Sequence, residues 1–302
     1  MRGRLRWRML ALGMASLFCG AAMAVPDQHE ITGFRFQIVT GDDSTVTRRI
    51  TEDLYKRLVP VFGGFRTELA QKRRMLIVTI GPVALRNTLA HKCDCVIIAA
   101  FTSSQVWRAV TADLAPSRLY ATTAIYAEPA PAEQVRLISL LYKRPVRIAA
   151  IVSRETGFLK PVLYGASAVE IEDYSAGNDI NNALNRVGQA QVLLAMPDRT
   201  VYSAENFRNI LLSTYRHNQA VIGFSADMVR AGALATTYSD IEHINAHVAD
   251  LANEFVTTGE LASPQFPRYF RTIINEGVAR SLQVTVSDEA RKFGRDPVAR
   301  RP

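Results

Sequence analysis

The chain has 302 residues, more than one hydrophobic core usually holds, so two lobes are expected. Its formal charge of +8 sits largely at the two ends: Arg2, Arg4, Arg6 and Arg8 open the sequence, and Arg291, Lys292, Arg295, Arg300 and Arg301 close it. Between those ends there is no basic stripe with interleaved aromatics, which argues against nucleic-acid binding.

The four leading arginines precede an apolar run from Met9 to Phe18 and then Ala22-Met23-Ala24, an A-x-A cleavage pattern. That run is shorter than the roughly 20 residues a bilayer span needs, so residues 1–24 read as a cleaved export signal. Cys19 keeps a lipid anchor as the alternative. A lipidation box, however, wants Leu three positions back and a small residue directly before the Cys, where this chain has Ser16 and Phe18. Cleavage takes 24 residues from 302 and leaves 278, with the charge reduced from +8 to +4 by the four lost arginines. No later segment is long and apolar enough to span a membrane, and a soluble protein of the periplasm is expected.

Strand-like and helix-like stretches then alternate. Phe34–Val39 reads as a strand and Thr45–Leu58 as a helix. Met75–Ile80 is a near-continuous apolar run that stops at Gly81-Pro82, as a buried parallel strand does. Pro82 suits the first turn of a following helix. Cys95–Ala100 is the next strand, and Thr102-Ser103-Ser104 a hydroxyl-rich turn able to cap a helix. Cys93 and Cys95, if both lie on that strand, stand roughly 6.6 Å apart at Cα, at the long limit for a disulfide, so they read as reduced core or strand-edge residues, with a strained redox pair as the alternative. Leu119–Tyr126 looks extended, and the proline-rich Tyr126–Pro131 marks a passage between lobes before a helix running to about Tyr142.

Further strands are expected at Val146–Val152, Val169–Ile171, Gln191–Met196 and Ala220–Phe224. Helices are expected from Ser203 to about His217, after Ser225, and over roughly Asp240–Thr258, the last stopped by Gly259. A second passage is expected at Ala262–Pro267. This alternation implies doubly wound α/β packing with mostly parallel sheets.

In such sheets ligands bind beyond the carboxyl ends of the strands. That rule selects Gly81, Thr102, Ser103, Ser153, Arg154, Asp198, Tyr202, Ser225 and Asp227 as the candidate site. Arg154 suits a carboxylate by a two-point hydrogen bond, Asp198 or Asp227 an amine, and Tyr126 and Tyr202 an aromatic wall. Each hydroxyl or Asp after a strand has an equally ordinary use as a helix cap. The chain lacks a G-x-S-x-G elbow, a phosphate loop and a dinucleotide glycine pattern, so neither an enzyme nor a cofactor is expected. His91-Lys92-Cys93-Asp94-Cys95 fits known zinc spacings poorly. His243 and His247 share a helix face expected to be solvated.

The second half carries a resemblance. Val192–Asp198, Val201-Tyr202, the helix to Tyr215-Arg216, Val221–Ser225, Val229–Ala235 and Ile274–Leu282 follow one another as in the substrate-binding proteins of tryptophan/tyrosine-type ABC transporters. Pro131–Ile138 and Arg147–Val152 fit the same family, so the match runs from about Ala121 to Asp288. The resemblance implies a type I periplasmic binding protein fold: two α/β lobes, three crossings and a ligand cleft lined at Ser153, Asp198 and Ser225. The first third departs from the family. Ile80-Gly81-Pro82-Val83-Ala84 stands where a Gly-Thr-Pro-Ala-like turn belongs, the region after the sixth decade looks shortened, and Thr122–Tyr126 replaces a Gly-containing stretch.

The expected division is a signal over 1–24, a first lobe of 25–127 with about 241–263, a second lobe of 128–240 with about 264–290, and a basic tail, 291–302. The expected function is capture of a small molecule, such as an amino acid or related compound, for an inner-membrane ABC permease, by a monomer. Two other readings stand beside it: a sensor or accessory module of the same fold acting through a membrane protein, and an exported hydrolase, for which no nucleophile-base pair is visible.

Overall fold

The structure, a computed structural model, describes residues 30–33, 35–63 and 73–298. The export signal expected over residues 1–24 lies outside them.

The apolar runs form the buried strands of two sheets. In the first, β2 (Phe36–Thr40), β3 (Met75–Ile80), β4 (Cys95–Thr102) and β5 (Thr122–Tyr126) pair in parallel in that order. An antiparallel strand, β1 (Glu30–Gly33), lies outside β2. The connecting helices are α1 (Thr45–Gly63), α2 (Gly81–Ala90), α3 (Ser104–Thr111) and α4 (Pro116–Tyr120). The last of these occupies part of the stretch expected to be extended. Pro116 supplies a first-turn residue that needs no N–H partner, which lets a short helix start there.

The second sheet holds β6 (Ile148–Ser153), β7 (Val169–Tyr174), β8 (Val192–Leu194), β9 (Ala220–Ile222), β10 (Ala235–Tyr238) and β11 (Arg271–Ile274). Their order is β11-β10-β9-β8-β6-β7, parallel except at β10/β11. Its helices are α5 (Pro131–Tyr142), α6 (Lys160–Ala166), α7 (Ile180–Arg186), α8 (Ala204–Arg216) and α9 (Ala226–Ala231). The chain then returns to the first sheet as α10 (Ile241–Thr258) and comes back to end in β11, α11 (Glu276–Ser281) and α12 (Asp288–Arg291). The chain thus passes between the sheets three times.

Alternation along the strands decides which helix covers which face. Phe36, Ile38, Leu76, Val78, Val96 and Ile98 pack under α1 and α10, whereas Val39, Ile77, Ile97 and Ala99 meet α2 and α3. In the second sheet α5 and α6 share one face, and α7, α8 and α9 the other.

Helix α10 is buried on every side from His243 to Ala249, because α1, the sheet and the returning chain enclose it. The solvated face expected for His243 and His247 is therefore corrected. His243 lies 3.1 Å from both Asp240 and Asp296, and His247 accepts the Arg268 N–H at 3.2 Å. Burial, with the Arg268 charge, pushes the His247 imidazole down to about 4. The buried amide of Asn245 donates to the Ile50 carbonyl at 3.0 Å and to Asp53 at 2.9 Å, tying α10 to α1.

Cys93 and Cys95 form a disulfide, correcting the reduced state expected of them. The expectation placed both on a strand. The strand begins only at Cys95, and the bend at Asp94 brings the Cα atoms to 5.2 Å. The basic tail is docked as far as Asp296, which faces His243 and Arg271. Phe270 and Arg295 form an antiparallel bridge, Arg295 reaches Glu133 at 3.4 Å, and Arg291 pairs with Glu276. Among the described residues no helix is long and apolar enough to cross a membrane.

Candidate functional site

The carboxyl ends of β4 in the first sheet and β6 in the second face each other across the junction of the sheets, and side chains bridge it. Gln105, on the first turn of α3, donates through Nε2 to Glu155, which follows β6. Nearby, the Arg108 guanidinium lies 4.5 Å over the Phe158 ring. These contacts bring the segment after β4 against the segment after β6.

On the first-lobe wall, Gly81 joins β3 to α2 without a loop, at φ +82°, a conformation that favours glycine. The end of β4 carries a bulge, with Phe101 at φ +56° and Thr102 buried. Ser103 caps α3 by accepting the Val106 N–H at 3.3 Å. The next N–H, of Ser104, donates to both Glu128 oxygens at 2.9 and 3.2 Å. Burial pushes the Glu128 carboxyl up, while its hydrogen bonds to Ser104 act the other way. Glu128 belongs to the passage from β5 to α5, so this pair fastens the crossing to the tip of α3. Tyr126 packs edge-on against Trp107 and Phe266, at 6.1 and 5.2 Å, and burial with the Glu128 charge pushes its phenol up to about 12.

On the second-lobe wall, Asp198 is 1% exposed and its carboxylate is fully engaged. One oxygen accepts the N–H groups of Thr200 and Val201 at 2.9 and 3.1 Å; the other accepts the Ser153 N–H at 2.8 Å and the Thr156 hydroxyl. Such a carboxylate ties the end of β6 to the turn after β8, and has no free lone pair for the amine expected of it. Ser153 Oγ in turn accepts the Glu155 N–H at 3.1 Å. Tyr202 packs its ring 5.8 Å from Phe224 with its hydroxyl buried and unpartnered, and burial next to Asp198 pushes its phenol well up. Ser225 caps α9 through the Met228 N–H at 3.3 Å. Asp227, on the first turn of α9, is exposed and pairs with Arg230.

Arg154 remains, exposed directly after β6, with no hydrogen bond or ion pair among the described residues. Arg199, next to Asp198, is in the same position. Neither candidate Asp pairs with Arg154. Sequence reasoning missed Gln105, Glu128, Glu155 and Arg199. Glu128 alone left a signal: an acid inside the apolar Ile125-Tyr126-Ala127-Glu128-Pro129 passage.

Two α/β lobes, joined by three crossings and meeting at their strand ends, are the type I periplasmic binding protein fold. Solved structures agree. One, described as an ABC domain in complex with L-Trp from Streptococcus pneumoniae, is 15% identical over 85% of this chain and 97% of its own, with a TM-score of 0.51. A ligand-free, open substrate binding protein with adhesive properties from Clostridium difficile is 14% identical over 84% and 96%, with a TM-score of 0.59. A conserved domain protein from Vibrio cholerae is 14% identical over 81% and 95%, at 0.50. In sequence, no family model and no curated protein matches the chain.

Proposed function

We propose that the protein is exported and acts as a monomeric solute-binding protein of the periplasm, closing its cleft on a small molecule for an inner-membrane ABC permease. The observation that carries this reading is the pair of unpartnered guanidiniums, Arg154 and Arg199, at adjacent strand ends of a wall whose buried carboxylate is already saturated. A cleft edge of that character favours a ligand with a carboxylate or similar anion, since guanidinium pairs with it in two-point geometry. An amino acid or related acid of the tryptophan/tyrosine-type family fits this chemistry.

The test is a thermal-shift panel on residues 25–302 with amino acids, aromatic acids and small anionic metabolites. A ligand at 100 times its dissociation constant adds about 2.7 kcal/mol. The expected result is a saturable shift that Arg154→Ala abolishes. A saturable shift untouched by Arg154→Ala and by Arg199→Ala rejects this site.

One observation favours a second reading, a sensor or accessory module working through a membrane protein. The cleft is bridged by the protein's own side chains, Gln105 to Glu155 and Arg108 to Phe158. An apolar hollow of about 340 Å³ opens at the opposite end of β9, between Leu211, Tyr215, Val278 and Leu282. A cleanly folded protein that shifts with no compound, even after Gln105→Ala, favours that module.

A further inference from the structure

The loop from His91 to Asp94 lies at the amino end of β4, at the far side of the first lobe from the cleft, and every residue in it is exposed. Cys93 is exposed there, whereas Cys95, its disulfide partner, is buried at the start of the strand. The bridge encloses only Asp94. A loop that short removes little freedom from the unfolded chain, so the bond contributes little to holding the fold.

The guanidinium of Arg118, on α4, is directed at the same spot. Its Nη1 donates to the Cys93 carbonyl at 3.0 Å, to Cys93 Sγ at 3.2 Å and to Cys95 Sγ at 3.5 Å. Its Nη2 donates to Cys93 Sγ at 3.2 Å and to the His91 carbonyl at 3.2 Å. A cation holding N–H groups against both sulfurs does little for a neutral disulfide but stabilises a thiolate. The other ionisable side chains are His91 and Lys92 on the loop, and Asp94, which is paired with Arg74 at 3.4 Å from the segment before β3.

We propose that Cys93-Asp94-Cys95 is a thiol–disulfide exchange site, with Cys93 as the attacked and attacking sulfur and Arg118 as the group that stabilises its thiolate. The co-reactant is an external thiol. Its thiolate attacks the accessible Cys93 Sγ, the Cys93–Cys95 bond breaks, and its electron pair leaves on Cys95 Sγ beside Arg118. A second thiolate then attacks the external sulfur of the mixed disulfide and releases Cys93 as a thiolate. Two external thiols become one external disulfide, and their two protons end on Cys93 and Cys95. The reverse sequence oxidises the loop and reduces the external disulfide. Nothing in this site depends on the cleft or on the solute it takes.

Two measurements on the folded chain test it. First, the rate of iodoacetamide alkylation of Cys93 is followed against pH in Cys95→Ser. The midpoint is expected well below the value of about 8.5 for an ordinary thiol, with a return toward it in Cys95→Ser combined with Arg118→Gln. An ordinary midpoint in both proteins overturns the proposal. Second, the native disulfide is exposed to reduced glutathione and, separately, to a reduced Cys-x-x-Cys peptide, without denaturant. Reduction slowed at least tenfold by Arg118→Gln is expected. Reduction by both reagents assigns a small-molecule thiol as a competent partner, and reduction by the peptide alone assigns a protein dithiol. A disulfide that yields to neither until the protein unfolds overturns the site, and this arm stands on the wild-type protein even if the Arg118 variant fails to fold.

Discussion

The two lobes are wound differently, and the difference lies at one edge of the first sheet. In the second lobe the chain steps from β6 outward to β7 with α6 on one face, then back over β6 to β8 with α7 on the other. Each reversal of direction is matched by a change of face, so every crossover keeps one hand. In the first lobe the chain steps from β2 to β3, β4 and β5 in a single direction. Yet α1 covers one face, and α2 and α3 the other. Taken over the described elements, β2, α1 and β3 therefore have the opposite hand to the units that follow, against a preference of roughly 98%.

The second lobe shows what would repair this: an outward strand and a returning helix between α1 and β3. Among the described residues the first lobe has no such strand, and the position beside β2 is taken by the antiparallel β1. The unusual hand is compensated by packing. Helix α1 rests along α10, with Asn245 bridging to Ile50 and Asp53 and Arg49 pairing with Glu242 at 2.5 Å. The first lobe is thus held by a helix that arrives from the second.

Truncating α1 should therefore cost more than truncating the corresponding helix of the second lobe. Leu54 and Leu163 are both fully buried, on α1 and α6. Leu→Ala in a core costs roughly 2–5 kcal/mol, depending on how well the site collapses. Leu54→Ala, against sheet and α10 together, is expected in the upper part of that range. Leu163→Ala, in a seven-residue helix at a sheet edge, is expected in the lower part. Urea midpoints at constant slope measure both. Equal or reversed costs would break the claim that α1 depends on α10 for its place.

Acid should separate the lobes next. The His247 imidazole, held down to about 4 by burial and then by the Arg268 charge, sits below its ordinary value of 6.5. The folded state then binds fewer protons than the unfolded chain between those values. Its contribution is complete above 6.5 and is lost as pH falls toward 4, with a ceiling on the order of 3 kcal/mol. The described histidine of the second lobe, His217, is exposed. Acid should therefore loosen the first lobe first, which Trp107 fluorescence can follow, and His247→Gln should flatten the slope. An unchanged slope would assign the acid sensitivity elsewhere.

What could be read in the sequence follows the same division. Strands β3 and β4 and helices α5, α8 and α10 were legible, because long apolar runs or helical periods ended at glycine, proline or a capping hydroxyl. Helices α6 and α7, seven residues each, are too short for a period to show. The burial of His243 and His247 depends on α10 being enclosed by elements far away in sequence, which periodicity along α10 cannot report. The strand-end rule selected turns whose side chains have other uses in the structure. Ser103, Ser225 and Asp198 are spent on the backbone, while Gln105 and Glu155 reach across the cleft.

The smallest expected effect discriminates most finely between the uses of those turns. Ser103 and Ser225 stand at equivalent places, each capping the helix that follows a parallel strand. Loss of such a cap costs about 1 kcal/mol. As caps alone, Ser103→Ala and Ser225→Ala should lower stability by similar amounts, and Ser→Asp, which caps as well, should restore it at both sites. A ligand role adds a second signature. Where a compound raises the melting temperature of the wild type, a serine that also touches it would lose that increment in the alanine variant and fail to regain it with aspartate, whose charge repels an anion drawn by Arg154 and Arg199. Recovery of stability together with the ligand increment at both positions would confine these hydroxyls to holding their helices and leave recognition to the guanidiniums.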